Sequence, residues 1–597
     1  MPRRLRTVGM MMAISFRADP VRSVAAVVTA TGQMVSGPLR AVGLRDVTNG
    51  VVLHHSQLLF AGVGLVIGLT AINRVMAWAS LNVRMRLREN TELWLDSQLI
   101  RLTTGIPGIE HHENPRYLDR VELLRADRGY LANPFNPISW SVSGLIQLAT
   151  ILVLLGGVHP LLPLLPLTAV FSVWATIASQ RALMTTWEAQ AQDQRRVRHL
   201  YELATVVRAG KEVRIFGLAR ELVRRHDELT GRLERELCAV ALRRIARVTL
   251  GWVCFGAGFA AALAFTVQLA VAHTVSVGDV ALVVSIGTML NSQLAGTIQS
   301  LRWFVRTQRA VARYVWLTDY AEAARAEATP QSPRPVPSSV RDGITLDDVS
   351  FAYRGAESPA LQEISVSLPR GSIVAIVGEN GAGKTTIVKL LSRFYTPTRG
   401  TIALDGMDLA GFDPVEWRAH ISAGFQDFVR WEFLARESVG LGDVAQIDDN
   451  AAITAALGRA SADDLPAALP RGLETQLGRT FAGGVDLSMG QWQKVALSRS
   501  MMRESPLLLL LDEPTASLDA QTEHALFERF TDAARRSASQ TGAITVIVSH
   551  RFSTVRMADV IIVLRDGRLV ESGDHAELMR AGGLYAELFS LQARAYR

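Results

Sequence analysis

Cysteine, lysine and evenly spread charge are what this sequence has least of. Its 597 residues include 2 cysteines, Cys238 and Cys254, too few for a disulfide framework or a cysteine-rich metal site. Charged residues make up 20% of the chain and hydrophobic residues 49%, against about 25% charged in soluble globular domains. That balance excludes a disordered or fibrous chain and argues against a wholly water-soluble enzyme. The net charge of +7 is a modest excess and points to no nucleic acid partner. Only four of the 63 basic residues are lysine, namely Lys211, Lys384, Lys389 and Lys494. A lysine that falls inside a motif is therefore informative.

Charge is missing in blocks. Residues 129–180 contain no Asp, Glu, Lys or Arg, enough for two membrane spans of about 20 residues each, with a break at Gly156–Pro160. Residues 248–301 carry Asp279 alone and fit two more spans, broken near Thr274–Asp279. Residues 56–73 are uncharged and run on past Arg74, while 23–39 form a shorter run interrupted by Gly32, Gly37 and Pro38. Six spans are expected, at about 22–43, 56–80, 137–157, 161–182, 248–272 and 279–301. The segment 181–247 holds 15 Lys and Arg, and Arg302, Arg306, Arg309 and Arg313 follow the last span. By the positive-inside rule both termini and the two long connecting segments are cytoplasmic. The lipid bilayer is thus an expected partner, and the expected location is the cell (inner or plasma) membrane. The Arg-rich stretch Met1–Phe16 lacks a small-residue cleavage site and reads as an interfacial helix. Gly256–Ala262 is rich in small residues, which suits close helix packing. The scarcity of charge inside the spans disfavours a strongly ionic substrate.

Composition changes after residue 320. TPQSPRPVPSS, residues 329–339, reads as an extended linker. Three domains are expected: 1–325 in the membrane, 326–342 as linker, and 343–597. In the last, apolar runs such as SIVAIVG, LLLLLD, ITVIVSH and VIIVLRDG alternate with helical segments, the pattern of an α/β domain with a largely parallel sheet.

SIVAIVG leads into Gly378-Glu379-Asn380-Gly381-Ala382-Gly383-Lys384-Thr385-Thr386. This is GxxxxGK[ST] between a strand and a helix, the context the motif needs. Its backbone N–H groups would close around phosphate oxygens, aided by the helix N-terminus. Lys384 would reach the terminal phosphates, and the Thr385 hydroxyl could ligate Mg²⁺. The leucine run 507–511 ends in Asp512-Glu513, where open α/β sheets bind ligands. Asp512 would hold Mg²⁺ and Glu513 would orient and polarise the attacking water, since phosphoanhydride hydrolysis depends on charge neutralisation and an in-line nucleophile.

Four further elements complete a resemblance. LSMGQ at Leu487–Gln491, Gln426 in GFQDF, Ser517-Leu518-Asp519 and His550 after ITVIVS make the sequence similar to the ATP-binding cassette transporter superfamily, specifically an exporter-type half-transporter. KEVRIFG at Lys211–Gly217 resembles a coupling-helix region of these exporters, and Tyr353 fits the aromatic that stacks on adenine. The resemblance implies a six-helix all-α transmembrane domain joined to an α/β P-loop nucleotide-binding domain with a helical subdomain. It implies ATP and Mg²⁺ as cofactors. Ser488, Gly490, Gln491 and Asp519 would face nucleotide on a second half-transporter, identical or different. Gln426 would join Asp512 and Thr385 at the metal, and His550 would contact the γ-phosphate. Met489 departs from the usual glycine of the signature, and ETQLGRTFAGGVD departs from the usual acidic loop. The implied function is ATP-driven export of a peptide, lantibiotic-like, or of an amphipathic small molecule by alternating access. The alternatives are a lipid flippase or uptake transporter of the same fold, and a regulatory ATPase subunit that does not transport. Glu110–Asp119 and Gly210–Gly217 are the expected force-transmitting contacts.

Overall fold

The computed structural model describes residues 3–133, 136–205, 209–514 and 520–595. Contacts divide the chain into two units, one of Met1–Arg101 with Arg120–Leu317, the other of Leu102–Asp119 with Thr318–Arg597.

The first unit is helical. Its long helices are Pro20–Val52, Ser56–Thr104, Asn136–Val158, Val170–Ala189 with a preceding 3₁₀ stretch Leu162–Ala169, Ala219–Val271 and Val277–Ala328. The chain turns between Val158 and Leu162 and again between Val271 and Val277, at the two breaks expected from the sequence. Among the described residues, four helices are long and apolar enough to cross a membrane: Ser56–Thr104, Asn136–Val158, Leu162–Trp187 and Ala219–Val271. The other two expected spans fall short of that standard. Arg22, Arg40, Arg45 and Asp46 bracket or interrupt the apolar part of Pro20–Val52, and Val277–Leu290 is a shorter apolar run. Helices of 49, 53 and 52 residues reach roughly 75 Å at about 1.5 Å per residue, well beyond a hydrocarbon core of about 30 Å. Their charged halves account for the surplus. The N-terminal helix Arg3–Ala18 buries Met11 and Ile14 and packs on Pro20–Val52. Close helix approach rests on small residues: a Cβ on Gly251 would stand 2.7 Å from Ser172 Cα, and one on Gly258 would collide with Thr168.

The second unit contains two sheets. The strands are β1 (Gly343–Phe351), β2 (Leu361–Pro369), β3 (Ile373–Gly378), β4 (Arg399–Leu404), β5 (Met407–Asp408), β6 (Ile421–Gly424), β7 (Leu508–Asp512), β8 (Ile544–Val548), β9 (Val560–Arg565) and β10 (Arg568–Gly573). The six-stranded sheet has the order β10-β9-β3-β8-β7-β6 and is parallel except for its edge strand β10. Its β7 and β8 are buried along their whole length, which is why they read as unbroken apolar runs. Strand β1 belongs to a separate antiparallel sheet, β2-β1-β4-β5, and its polar residues Thr345 and Asp347 stay exposed, as one-sided antiparallel sheets allow. Short helices Ala435–Gly440, Asn450–Arg459 and Leu465–Ala468 and the longer Met489–Ser500 build a helical lobe around Trp492, Val495 and Leu457.

The proline-rich linker is extended but not loose. Arg334 pairs with Phe412 in an isolated bridge. The Val336 N–H donates to Glu416 Oε1 at 3.2 Å, and the Val340 N–H donates to the Thr541 carbonyl at 2.7 Å. Val336 and Val340 join the same core cluster as Trp417 and Phe412. Trp417 is fully buried, its indole N–H donating to the Leu391 carbonyl at 2.8 Å. Trp417→Ala should cost about 3–5 kcal/mol and lower the melting transition that nucleotide shifts, measured by intrinsic fluorescence on the full chain in detergent. An unchanged transition would deny this cluster its structural role.

Candidate functional site

The loop between β3 and the helix Lys384–Leu391 carries the site. Gly383 caps that helix with φ +99, a left-handed conformation suited to glycine. A Cβ there would also stand 2.5 Å from Leu361 Cδ2 and 2.9 Å from the Ala360 carbonyl oxygen. The Lys384 amine donates to the carbonyls of Gly378 and Glu379, at 2.8 Å each, so the lysine braces the loop from within. Burial pushes its pKa down, against the upward pull of Glu513 and Asp512.

Strand β7 delivers the two acids. Asp512 is buried, and its Oδ1 has no hydrogen-bond partner. Burial raises its pKa above the ordinary aspartate range; the Thr385 hydrogen bond opposes this, and neighbouring Glu513 adds to it. Glu513 follows with φ +49, a costly backbone conformation for a non-glycine residue and one that clusters at functional sites. Its N–H is fixed by the Val548 carbonyl at 3.0 Å. Its carboxylate sits between two predicted partners: Gln426 Nε2 donates to Oε2 at 2.8 Å, and His550 Nδ1 lies 3.4 Å from Oε1. Asn380, Gly381, Gly383, Lys384, Thr385 and Thr386 line a cavity of about 650 Å³ together with Gln426, Glu513 and His550. This volume lies within the range of small-molecule sites. Ala360 also lines it; sequence reasoning missed this residue because a small side chain before a strand carries no chemical signal.

The donor set fits a divalent cation. An unbonded buried carboxylate oxygen on Asp512, the adjacent Thr385 hydroxyl and the carbonyl oxygen of Gln426 are hard oxygen ligands of the kind Mg²⁺ takes.

Other predicted residues lie apart from this cavity. Tyr353 is absent from its lining. Its hydroxyl is 3.1 Å from Thr386 Oγ1, and its ring packs edge-on against Phe351 and Tyr395. Ala382 is buried. Ser488 caps the helix Met489–Ser500, its hydroxyl accepting from the Gln491 N–H while Gln491 Oε1 accepts from the Ser488 N–H. The structure thus gives Gln491 a capping role, and Ser488, Gly490 and Gln491 do not line the cavity. Met489 occupies the first helical position, 49% exposed, with Arg430 Nη2 3.1 Å from its sulfur. Asp519, with Ser517 and Leu518, lies outside the described residues. An unforeseen tie links the helix to the acids: the buried Gln493 amide donates to the Pro514 carbonyl at 2.6 Å.

Residues 102–119 belong to the same unit as this site. Glu113 accepts from Lys389 Nζ at 2.7 Å and from the Tyr395 hydroxyl, and Glu110 accepts from Arg354 at 3.2 Å. Burial opposes ionisation of Glu113, but the bonds from Lys389 and Tyr395 outweigh it and hold its pKa below the usual range. His111 between them is buried, with its pKa pushed down to about 4 by burial and by His112. In the first unit, the helix Gly210–Ile215 ends in Ile215 and Phe216, 80% and 67% exposed.

A family description, "ABC transporter", matches residues 361–516. An ATP-dependent lipid A-core flippase of Burkholderia orbicola (strain AU 1054) is 39% identical over 258 residues, 43% of this chain and 41% of that one. One from Bordetella avium (strain 197N) is 28% identical over 593 residues, 95% of this chain and 94% of that one. The mitochondrial potassium channel ATP-binding subunit of Homo sapiens is 39% identical over 259 residues, 42% of this chain and 33% of that one. The more identical relatives thus match over less than half their own length. Among solved structures, a bacterial Atm1-family ABC exporter with ATP bound superposes with a TM-score of 0.75 at 24% identity, covering 97% of this chain and all of that one; at this identity the likeness concerns the fold.

Because Asp512 is costly to ionise where it sits, Asp512→Asn should raise the melting temperature of the nucleotide-free protein near neutral pH. Each kcal/mol recovered is worth about 2–4 °C in a domain of this size. The difference should close on acidification below the ordinary aspartate range, where Asp512 is protonated folded and unfolded alike. Scanning calorimetry against pH checks this, and a destabilised Asn variant would overturn it.

Proposed function

Since the chain belongs to the ATP-binding cassette transporter superfamily, with membrane and nucleotide-binding parts fused in one polypeptide, we propose that it hydrolyses ATP to move an amphipathic lipid across the cell membrane. The observation that carries the reading is Glu513, held at +49 in φ between Gln426 and His550 at the edge of the Lys384–Thr386 cavity. There a carboxylate can accept the proton of an attacking water while the loop N–H groups, the helix N-terminus and Lys384 hold phosphate oxygens. Thr385, Asp512 and Gln426 would hold Mg²⁺, which supplies charge neutralisation for the terminal phosphates when bound.

The lipid reading is favoured over the peptide reading by the relative that spans nearly the full chain, itself named a lipid A-core flippase. Two copies, or this chain and a related half, would share nucleotide between them. The signature end of the helix Met489–Ser500 stands away from the chain's own cavity, and Ser488, accepting from Gln491, keeps its O–H for an outside oxygen. The exposed Ile215 and Phe216 would dock on the second chain. Glu110 and Glu113 would carry nucleotide-driven movement into the helix Ser56–Thr104, to which their segment is joined in sequence. Both termini and the cassette would lie in the cytoplasm, with export as the direction.

Glu513→Gln should lower ATP turnover by about 10²–10⁴, the usual worth of a positioned acid–base group, and stop transfer of a fluorescent lipid in proteoliposomes. Unchanged turnover would overturn the assignment. Glu113→Ala should keep basal turnover and lose its stimulation by the transported lipid; normal stimulation in this variant would remove the segment from coupling.

A further inference from the structure

The helical unit forms a half-open cavity of about 430 Å³ lined from the helices Pro20–Val52, Ser56–Thr104, Asn136–Val158 and Val277–Ala328. Two arginines, Arg40 and Arg84, line it, and among the described residues no acidic side chain does. Both lie just outside the uncharged runs of the sequence, so the expectation that an ionic substrate is disfavoured does not survive the folding of these helices around one space.

Arg40 is half-buried, and its Nε is buried with no hydrogen-bond partner. Arg84 spends its Nε on the Ser80 carbonyl of its own helix at 3.1 Å, and its guanidinium stands 5.7 Å from the centre of the Trp140 ring. Two half-buried guanidinium groups, one with a buried Nε that makes no hydrogen bond, are better solvated when an anion shares their cavity. Guanidinium groups match phosphate oxygens in geometry and give charge-assisted hydrogen bonds. Gln33 and Gln147 add neutral polar groups, while Met34 and Met289 supply apolar wall. Two positive charges balance a phosphomonoester, which carries about −1.5 to −2 at neutral pH. The volume exceeds that of a phosphate group and falls in the range of ligand sites.

We propose that this cavity binds the phosphate-bearing headgroup of the transported amphiphile, with Arg40 and Arg84 as its anion clamp. This rests on the transport reading above and deepens it by naming the chemistry of the cargo.

The test uses the full chain in phosphatidylcholine nanodiscs, titrated with phosphatidic acid or with soluble hexyl phosphate. Two readouts are taken: stimulation of ATP turnover, as a ratio to each protein's own basal rate, and bound phosphatidic acid counted by native mass spectrometry. Arg40→Gln and Arg84→Gln should each weaken half-saturation by about tenfold, as expected for one charge-assisted bond. Arg84→Lys, which keeps the charge but not the fork, should bind more tightly than Arg84→Gln and less tightly than wild type, and Arg101→Gln, an exposed arginine on the same helix, should behave as wild type. Binding of both probes assigns recognition to the phosphate itself; binding of phosphatidic acid alone assigns it to lipid-borne phosphate. Either supports the proposal. Equal affinities in wild type and both Gln variants would overturn it. Absence of ATP turnover in wild type would count against the transport reading instead, and the mass spectrometric count would still decide this inference.

Discussion

Asp512 is a carboxylate carried out of water on a strand buried along its whole length, and that one electrostatic debt organises the second unit. One of its oxygens makes no hydrogen bond and burial raises its pKa, so a cation placed beside it would be held strongly. Lys384, its buried neighbour, is turned back on the carbonyls of its own loop. A nucleotide with a divalent cation would bring opposite charge to both groups at once. The strain in Glu513 belongs to the same arrangement, since the residue after a buried strand end must turn sharply to bring its carboxylate to Gln426 and His550.

The scarcity of lysine sharpens the picture. Lys384 braces the phosphate loop, Lys389 binds Glu113 of the 102–119 segment, and Lys494 pairs with Asp464 at 2.8 Å in the helical lobe. In a chain that uses arginine for ordinary surface charge, three of the four lysines make specific tertiary hydrogen bonds. The helix Lys384–Leu391 thereby carries both the lysine that braces the glycine-rich loop and, five residues on, the lysine that grips the 102–119 segment. Phosphate bound at that loop would have a short mechanical path to the segment.

Polar groups in the helical unit follow a different logic. Helix contact there relies on small residues such as Gly251 and Gly258, and Asn73 ties two helices by donating to the Gln33 carbonyl at 3.1 Å. Arg84 also bridges two helices, its guanidinium 5.7 Å from the centre of the Trp140 ring. It shares with Arg40 a cavity lined from four helices.

The sequence by itself determined the helical turns at 158–162 and 271–277, the parallel strands and the glycine-rich loop, because each is written in a local pattern: charge-free length, apolar runs, or glycine spacing. The ordered motif set also made most of the cavity lining legible, from Asn380 to His550, but not Ala360, and it placed Tyr353, Ser488, Gly490 and Gln491 at a site whose cavity they do not line. Only the tertiary structure decided what depends on distant pairings. The antiparallel sheet around β1 needs partners 10–60 residues away, and the linker's burial needs Trp417 and Phe412 to meet it. Tyr353 sits behind Thr386 because the packing of Phe351 and Tyr395 places it there. The two arginines became a site only when four helices, separated by up to some 250 residues of chain, closed around them; counting charges along one dimension has no means of seeing that enclosure.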